Sequence, residues 1–332
     1  MIKKLHFDDI PWVEKYRPRK INDIVQQDEI VKILNDTIKT GNLPHLLLYG
    51  PPGTGKTSTI LAVAHQLFGP KVIGDRVIEL NASDDRGINI VRDKIIKFAK
   101  HAIGSKDPIY PCPDINIVIL DEADAMTPEA QAALRKVMEK MSRITRFVLI
   151  CNYESQIIDP IVSRCMKFRF KPISNKCISD KLRFIASNEN MEINDECIDT
   201  IVDISEGDAR MAIMSLQNLK YITNYKKHVS SKDIIQITGG IDKNEFKDFW
   251  KICGENINNV RNLARTINKN GYPIKAILAY LNECNLNSEL NDLQKSKIAI
   301  EICNTDRRLL GNADQYLQIL NILIFINKIC KA

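Results

Sequence analysis

The chain has 332 residues, enough for two or three domains; 44% are hydrophobic, 27% are charged, and the net charge is +6. No apolar run reaches the roughly 18 residues that a membrane-spanning helix needs, and nine scattered cysteines without a Cys-x-x-Cys pair read as reduced thiols of a cytosolic or nuclear protein, not as disulfides or a zinc site. The mild positive charge suits either nucleic-acid contact or an ordinary soluble surface. The opening Met1–Asp9 turns acidic before any apolar core, so no secretion signal is expected.

In chain order, Leu46–Tyr49 reads as a short buried strand. It runs into Gly50-Pro51-Pro52-Gly53-Thr54-Gly55-Lys56-Thr57, a complete G-x-x-x-x-G-K-[ST] loop. From Ser58 to Phe68, Ile60, Leu61, Ala64, Leu67 and Phe68 recur at helical spacing, and Gly69-Pro70 is a stop signal. Strand, loop and helix together are the context that gives the motif its meaning. Its glycines let backbone N–H groups close around phosphate oxygens at a helix N-terminus. Lys56 is placed to reach the β- and γ-phosphates of a nucleotide, and the Thr57 hydroxyl to hold Mg²⁺.

Further strands are expected at Val77–Leu80, Ile117–Leu120, Phe147–Ile150 and Lys167–Phe170, alternating with helical patterns up to about residue 173. That alternation argues a parallel α/β sheet. After Pro172 the strand signals stop. Residues 174–238 read as a small helical bundle, with Leu182, Ile185 and Ala186 on one face, followed by Ile198, Ile201 and Val202. Gly239-Gly240 marks a boundary, and residues 241–332 are helical again. They end in the apolar stretch Tyr316 to Ile329, expected to serve both as a core helix and as a face for a neighbouring subunit.

Ligands of an open parallel sheet bind outside the carboxyl ends of its strands, and four polar features fall there: Gly50, Asn81, Asp121-Glu122 and Asn152. Four apolar residues running into Asp-Glu make a Walker B strand, with Asp121 a Mg²⁺ ligand and Glu122 the general base that polarises an attacking water. Asp124 reads as structural. The Asn152 amide can orient that water or touch the γ-phosphate. Asn81 either restrains Glu122 through a hydrogen bond or simply forms a turn. Asp208 reads as an N-cap, which puts Arg210 in the first turn of a helix; a cation there opposes the helix dipole and is tolerable beside an anion such as the γ-phosphate.

These segments come in an order that resembles the small subunits of replication factor C, the sliding-clamp loader of the AAA+ ATPase superfamily. The carriers are Pro11-Trp12-Val13-Glu14-Lys15-Tyr16-Arg17-Pro18, the phosphate loop, and Glu79-Leu80-Asn81-Ala82-Ser83-Asp84-Asp85-Arg86-Gly87-Ile88. They continue with Asp121-Glu122-Ala123-Asp124, Ile150-Cys151-Asn152-Tyr153, Ser163-Arg164-Cys165 and Gly207-Asp208-Ala209-Arg210, spanning residues 11–210. The run from Ile150 to Cys165 is similar to the eukaryotic small subunits in particular. The last ninety residues match in length and helical character alone.

The resemblance implies a fold and a set of roles. The fold is an α/β P-loop AAA+ domain over residues 1–173, a small helical lid over 174–238, and an all-α collar or oligomerisation domain over 239–332. ATP and Mg²⁺ would bind along Gly50, Pro51, Pro52, Gly53, Thr54, Gly55, Lys56, Thr57 and Ser58. Val13, Arg17 and Val25 would surround adenine and ribose, and Gln26 stands where the family commonly has Gly. Arg210 would be the second sensor. Arg164 would be an arginine finger acting in trans on the neighbouring subunit's ATP, and Arg135 a second trans contact on the helix opened by Thr127-Pro128. Arg86, at a helix start, would meet template-strand phosphates, whereas Lys94 and Lys97 read as a solvated face.

Implied partners are the other subunits of a hetero-pentamer, a sliding clamp of the PCNA type and primer–template DNA; no membrane contact is expected, and the location is nuclear if the host is eukaryotic. Two alternatives stand beside this reading. One is a loader subunit that keeps the fold as a scaffold but has lost hydrolysis, which the intact Lys56, Thr57, Asp121, Glu122 and Arg164 oppose. The other is a different AAA+ DNA-processing motor, such as a Holliday-junction motor or a replication initiator.

Overall fold

The five expected strands form one sheet, and the apolar runs of its three central strands explain how both of its faces are buried. A computed structural model of the chain describes residues 10–24, 26–82, 94–98, 106–223, 230–238, 240, 246 and 249–331. The strands are β1 (Leu46–Tyr49), β2 (Val77–Asn81), β3 (Asn116–Asp121), β4 (Thr145–Cys151) and β5 (Met166–Arg169). They pair in parallel in the order β2-β3-β4-β1-β5. Each agrees with the sequence expectation to within two residues at either end.

Alternate side chains take opposite faces. Leu46, Leu48, Ile117, Ile119, Val148 and Ile150 share one core with the helix that follows the phosphate loop. Leu47, Val118, Leu120, Phe147, Leu149 and Cys151 share the other with Leu134, Val137 and Met138. Burial on both sides is why these strands read as unbroken apolar runs and not as alternating ones.

One boundary differs from expectation. The helix after the phosphate loop spans Lys56–Arg76, not Ser58–Phe68. Gly69 does break it, with φ 70° and ψ 168°, but helix resumes at once. Proline fits a first helical turn, where its missing N–H has no partner to lose, so Gly69-Pro70 joins two helices where the sequence suggested an end.

The chain packs as two compact units, Met1–Lys220 and Tyr221–Ala332. The first holds the sheet and the helices Asn175–Asn188 and Asp195–Ser205, whose expected faces are buried at Leu182, Ile185, Ala186, Ile198, Ile201 and Val202. The helix Ala209–Thr223 begins within it.

All the described secondary-structure elements of the second unit are helices. Its final helix, Gln315–Cys330, buries Ile319, Ile322, Leu323 and Ile326, so the apolar C-terminal stretch is a core helix of this unit, with Leu317 left 58% exposed. On its buried side the Asn327 amide donates to the carbonyls of Cys253 (2.6 Å) and Glu255 (2.8 Å), closing the end of the helix Phe249–Cys253. Among the described residues, no helix is long and apolar enough to cross a membrane.

Replacing Asn327 by Leu strands the buried Cys253 carbonyl away from water and removes the bond to Glu255, so Asn327→Leu should destabilise the second unit by about 1–3 kcal/mol. Calorimetry should register this as an earlier unfolding transition; an unchanged thermogram would remove the amide from the stabilising set.

Candidate nucleotide site

The strand order brings the carboxyl ends of β3, β4 and β1 side by side, and these ends carry the polar residues picked out in the sequence. Lys56 opens its helix immediately after the loop, and its side chain turns back over the loop. The ammonium donates to the carbonyls of Gly50 (2.7 Å) and Pro51 (2.8 Å) and to Oδ1 of Asn152 (3.2 Å). The residue is only 7% exposed, and burial pulls its pKa below the ordinary value, an effect that the Asp121 carboxylate opposes most. A buried ammonium with neutral acceptors is well prepared for an anion. One residue on, the Thr57 hydroxyl donates to Oδ2 of Asp121 (2.8 Å). Hydroxyl and carboxylate are both hard oxygen donors, the set a divalent cation of the Mg²⁺ type takes.

Two of the loop glycines, Gly50 and Gly53, leave room for nothing larger. Gly50 has φ 140°, and a Cβ there would run into the Phe170 carbonyl beyond β5. Gly53 has φ 67°, and a Cβ there would strike the Asp208 carboxylate. The second contact matters for Arg210. Asp208 is the N-cap inferred from sequence: its Oδ1 accepts from Met211 N (3.0 Å), while Ala209 N donates to Gly53 O (3.2 Å). The helix that carries Arg210 thus starts directly on the phosphate loop.

Glu122 follows β3 with φ 53°, the left-handed conformation, and its N–H donates to Asp121 Oδ1 (2.9 Å). A non-glycine residue held this way costs on the order of 1–3 kcal/mol, a strain that clusters at functional sites. Here it throws the carboxylate out of the strand line, exposed at the rim. Asp124 is more than a structural end. Its Oδ2 accepts from the backbone N–H of Asn152 (3.0 Å) and Tyr153 (3.3 Å), fixing the turn that aims Asn152 at Lys56. Asn81 ends β2 in register with Asp121.

A cavity of about 300 Å³ collects these groups. Its lining includes Pro52 through Ser58, Asp121, Glu122, Asn152 and Arg210. Val13 and Arg17 line it as well. Arg17 is held there by Glu14 (2.8 Å). Sequence reading missed Tyr16, Ile24 and Ile173, along with Cys177, Ile178 and Lys181 on one face of the helix Asn175–Asn188. The last three stand at i, i+1 and i+4, an amphipathic face that carried the only available signal.

Gln26 takes φ 63°, the conformation a glycine adopts without cost, and its side-chain oxygen accepts from Ser174 N. Val25 and Arg86 lie outside the described residues. Lys94 and Lys97 are exposed.

Arg164 and Arg135 are not among the lining residues of this chain's own cavity. They come together elsewhere on the unit, around one carboxylate. Arg164 donates to Pro160 O (2.6 Å) and Glu139 Oε1 (2.6 Å), and Arg135 Nε lies 3.3 Å from the same oxygen. All three side chains are 38–41% exposed.

A parallel sheet in this order, with a phosphate loop beside Asp-Glu and a strand-end asparagine, defines an ATPase of the AAA class. The model of the ATPase family associated with various cellular activities matches residues 46–173, and that of the replication factor C C-terminal domain matches residues 241–324. The chain is 45% identical over 317 residues to replication factor C subunit 4 of Arabidopsis thaliana, covering 94% of this chain and 93% of that one. It is 44% identical over 315 residues to human replication factor C subunit 4, covering 94% and 86%. The chain belongs to the replication factor C small subunits. Among solved structures, the Thermotoga maritima RuvB Holliday junction branch migration motor is similar, with a TM-score of 0.53, 17% identity, and coverage of 76% of this chain and 78% of that chain. At that identity the likeness is one of fold alone.

Asp124→Ala should release the turn after β4 and displace Asn152. Turnover of ATP should fall at least about tenfold with nucleotide affinity little changed. Wild-type turnover in steady-state assays would mean that Asn152 is held by other contacts.

Proposed function

We propose that this chain is an ATP-hydrolysing subunit of a sliding-clamp loader, in which ATP binding closes a ring of subunits around an opened clamp and hydrolysis releases the clamp around DNA. The observation that carries the chemistry is the joining of Lys56 to Asn152 and of Thr57 to Asp121 within one cavity. The match of residues 241–324 to the replication factor C C-terminal domain favours a loader over a Holliday-junction motor that shares only the fold.

In the proposed step, Glu122 accepts a proton from a water that attacks the γ-phosphorus. The new P–O bond forms as the bond to the β–γ bridging oxygen breaks, giving ADP and inorganic phosphate. Lys56 neutralises charge on the phosphate oxygens, Asn152 orients the water, and Arg210 approaches the γ-phosphate from the lid side. Thr57 and Asp121 would hold Mg²⁺, which would supply further neutralisation of phosphate charge. Val13, Arg17 and Val25 form the base and ribose side. Asn81 restrains Glu122 until the assembly is complete.

Arg164, with Arg135 beside it, acts in trans on the ATP of the neighbouring subunit. Their placement away from this chain's own cavity, and their exposure, support that role. Residues 174–238 act as the lid and 239–332 as the collar that joins a hetero-pentamer. The exposed side of the final helix would face a neighbour. Arg86 meets the template strand, the clamp is of the PCNA type, and the work is nuclear in a eukaryotic host.

Lys56→Ala should abolish nucleotide binding or turnover, measured by equilibrium binding and phosphate release; an ATPase that survives it would remove the assigned site. Arg164→Ala, in the assembled loader, should leave this chain's ATP binding intact. It should slow turnover at the adjacent site by about 10³-fold or more, and normal turnover there would end the finger assignment.

A further inference from the structure

We propose that Glu189 is the positioning residue of the base-side wall of the nucleotide cavity, its carboxylate clamping the Trp12–Arg17 segment against the helices Asn175–Asn188 and Ala209–Thr223. The proposal rests on the reading that this cavity takes ATP, and it concerns a residue that does not itself line the cavity.

Glu189 lies just beyond the helix Asn175–Asn188, with its side chain 8% exposed. Three donors converge on it. Lys15 Nζ donates to Oε1 (2.6 Å), the Tyr16 hydroxyl to the same oxygen (2.7 Å), and Lys220 Nζ to Oε2 (2.8 Å). Burial alone would raise its pKa, but the hydrogen bonds from Lys15, Lys220 and Tyr16 hold it down at about 2, so the carboxylate is charged at neutral pH. The Tyr16 hydroxyl shifts the opposite way, above its ordinary value, through burial and its bond to Glu189.

Other contacts dock the same segment, one of them made by the same Lys220 ammonium. Trp12 N donates to Gln217 Oε1 (3.0 Å), Lys220 Nζ stands 5.2 Å from the centre of the Trp12 ring, and Tyr16 meets Phe184 edge-on at 6.3 Å. Val13, Tyr16 and Arg17 of this segment line the cavity. Glu189 therefore acts on the cavity through residues 173 and 174 positions away in sequence.

The phosphate end is built from different parts. Lys56 and Thr57 take their partners from Gly50, Pro51, Asn152 and Asp121. Removing the charge of Glu189 takes away the anion that two ammoniums share. It should loosen the base-side wall and leave the phosphate cradle in place. The consequence is a loss that depends on the base, not on the phosphates.

The test uses the full chain and competition against a fluorescent ATP analogue. With Glu189→Gln, the competition constant for ATP should rise about tenfold, the scale of a wall displaced by part of an ångström. That for inorganic tripolyphosphate should stay at the wild-type value. Lys15→Gln, which alters a residue outside the cavity lining, should move ATP in the same direction and serves if the first variant fails to fold. Unchanged ATP affinity in a folded variant would overturn the proposal, as would an equal loss for ATP and tripolyphosphate, which marks general damage to the unit. Lys56→Ala measured alongside separates the two layers: if it keeps both wild-type ATP affinity and turnover, the nucleotide reading itself fails, whereas loss of either there with an inert Glu189→Gln defeats the positioning role alone.

Discussion

A buried ammonium needs acceptors, and the Lys56 side chain obtains them from two strands. Two carbonyls come from its own loop after β1, and one amide oxygen comes from Asn152 after β4. That demand ties the phosphate loop to the neighbouring strand end, and the Thr57–Asp121 hydrogen bond ties it to the next. Both ties are possible because β3, β4 and β1 are adjacent in the sheet although they are far apart in the chain. Moving any of these strands by one residue would turn its end residue to the other face. The site is thus a property of sheet order and register more than of any loop alone.

Around this centre, each group is held by something outside the cavity. Asp124 holds Asn152, Glu14 holds Arg17, and Asp208 caps the helix that carries Arg210 while filling the space beside Gly53. Glu189 does the same for the whole Trp12–Arg17 segment. Such supports convert flexible polar side chains into groups with a fixed place, which is what electrostatic stabilisation of a phosphoryl transfer requires. The exposed pair Arg164 and Arg135 follows a different logic. Sharing Glu139 at the surface keeps two guanidiniums together without committing them to this chain's own nucleotide.

Much of this was legible in the sequence because it is local. The central strands, buried on both faces, appear as short apolar runs, and the edge strands at Val77 and Met166 carry shorter signals; all were readable to within two residues. Lys56 and Thr57 declare themselves as the end of the G-x-x-x-x-G-K-[ST] loop, and Asp121, Glu122 and Asn152 by standing at strand ends. The N-caps Thr127 and Asp208 were readable from their side-chain chemistry, and both accept the expected backbone N–H. What sequence could not supply is contact between distant segments. Nothing periodic links Asp124 to Asn152, Glu139 to Arg164, or Glu189 to Lys15. The resumption of helix after Gly69 was missed because a Gly-Pro pair reads as an end, although proline suits the start of a new turn. Glutamine itself gives no sign of the left-handed φ of Gln26; the family's glycine at that place was the hint, and the Ser174 N–H that the side chain accepts helps to hold the turn.

The central claim, that this site drives clamp loading, is tested most directly by ATP turnover of the chain co-assembled with its partner subunits, with and without sliding clamp and primer–template DNA. Strong stimulation that requires both clamp and DNA is the predicted result. Turnover indifferent to the clamp would contradict the account and leave an ATPase of the AAA class serving some other machine.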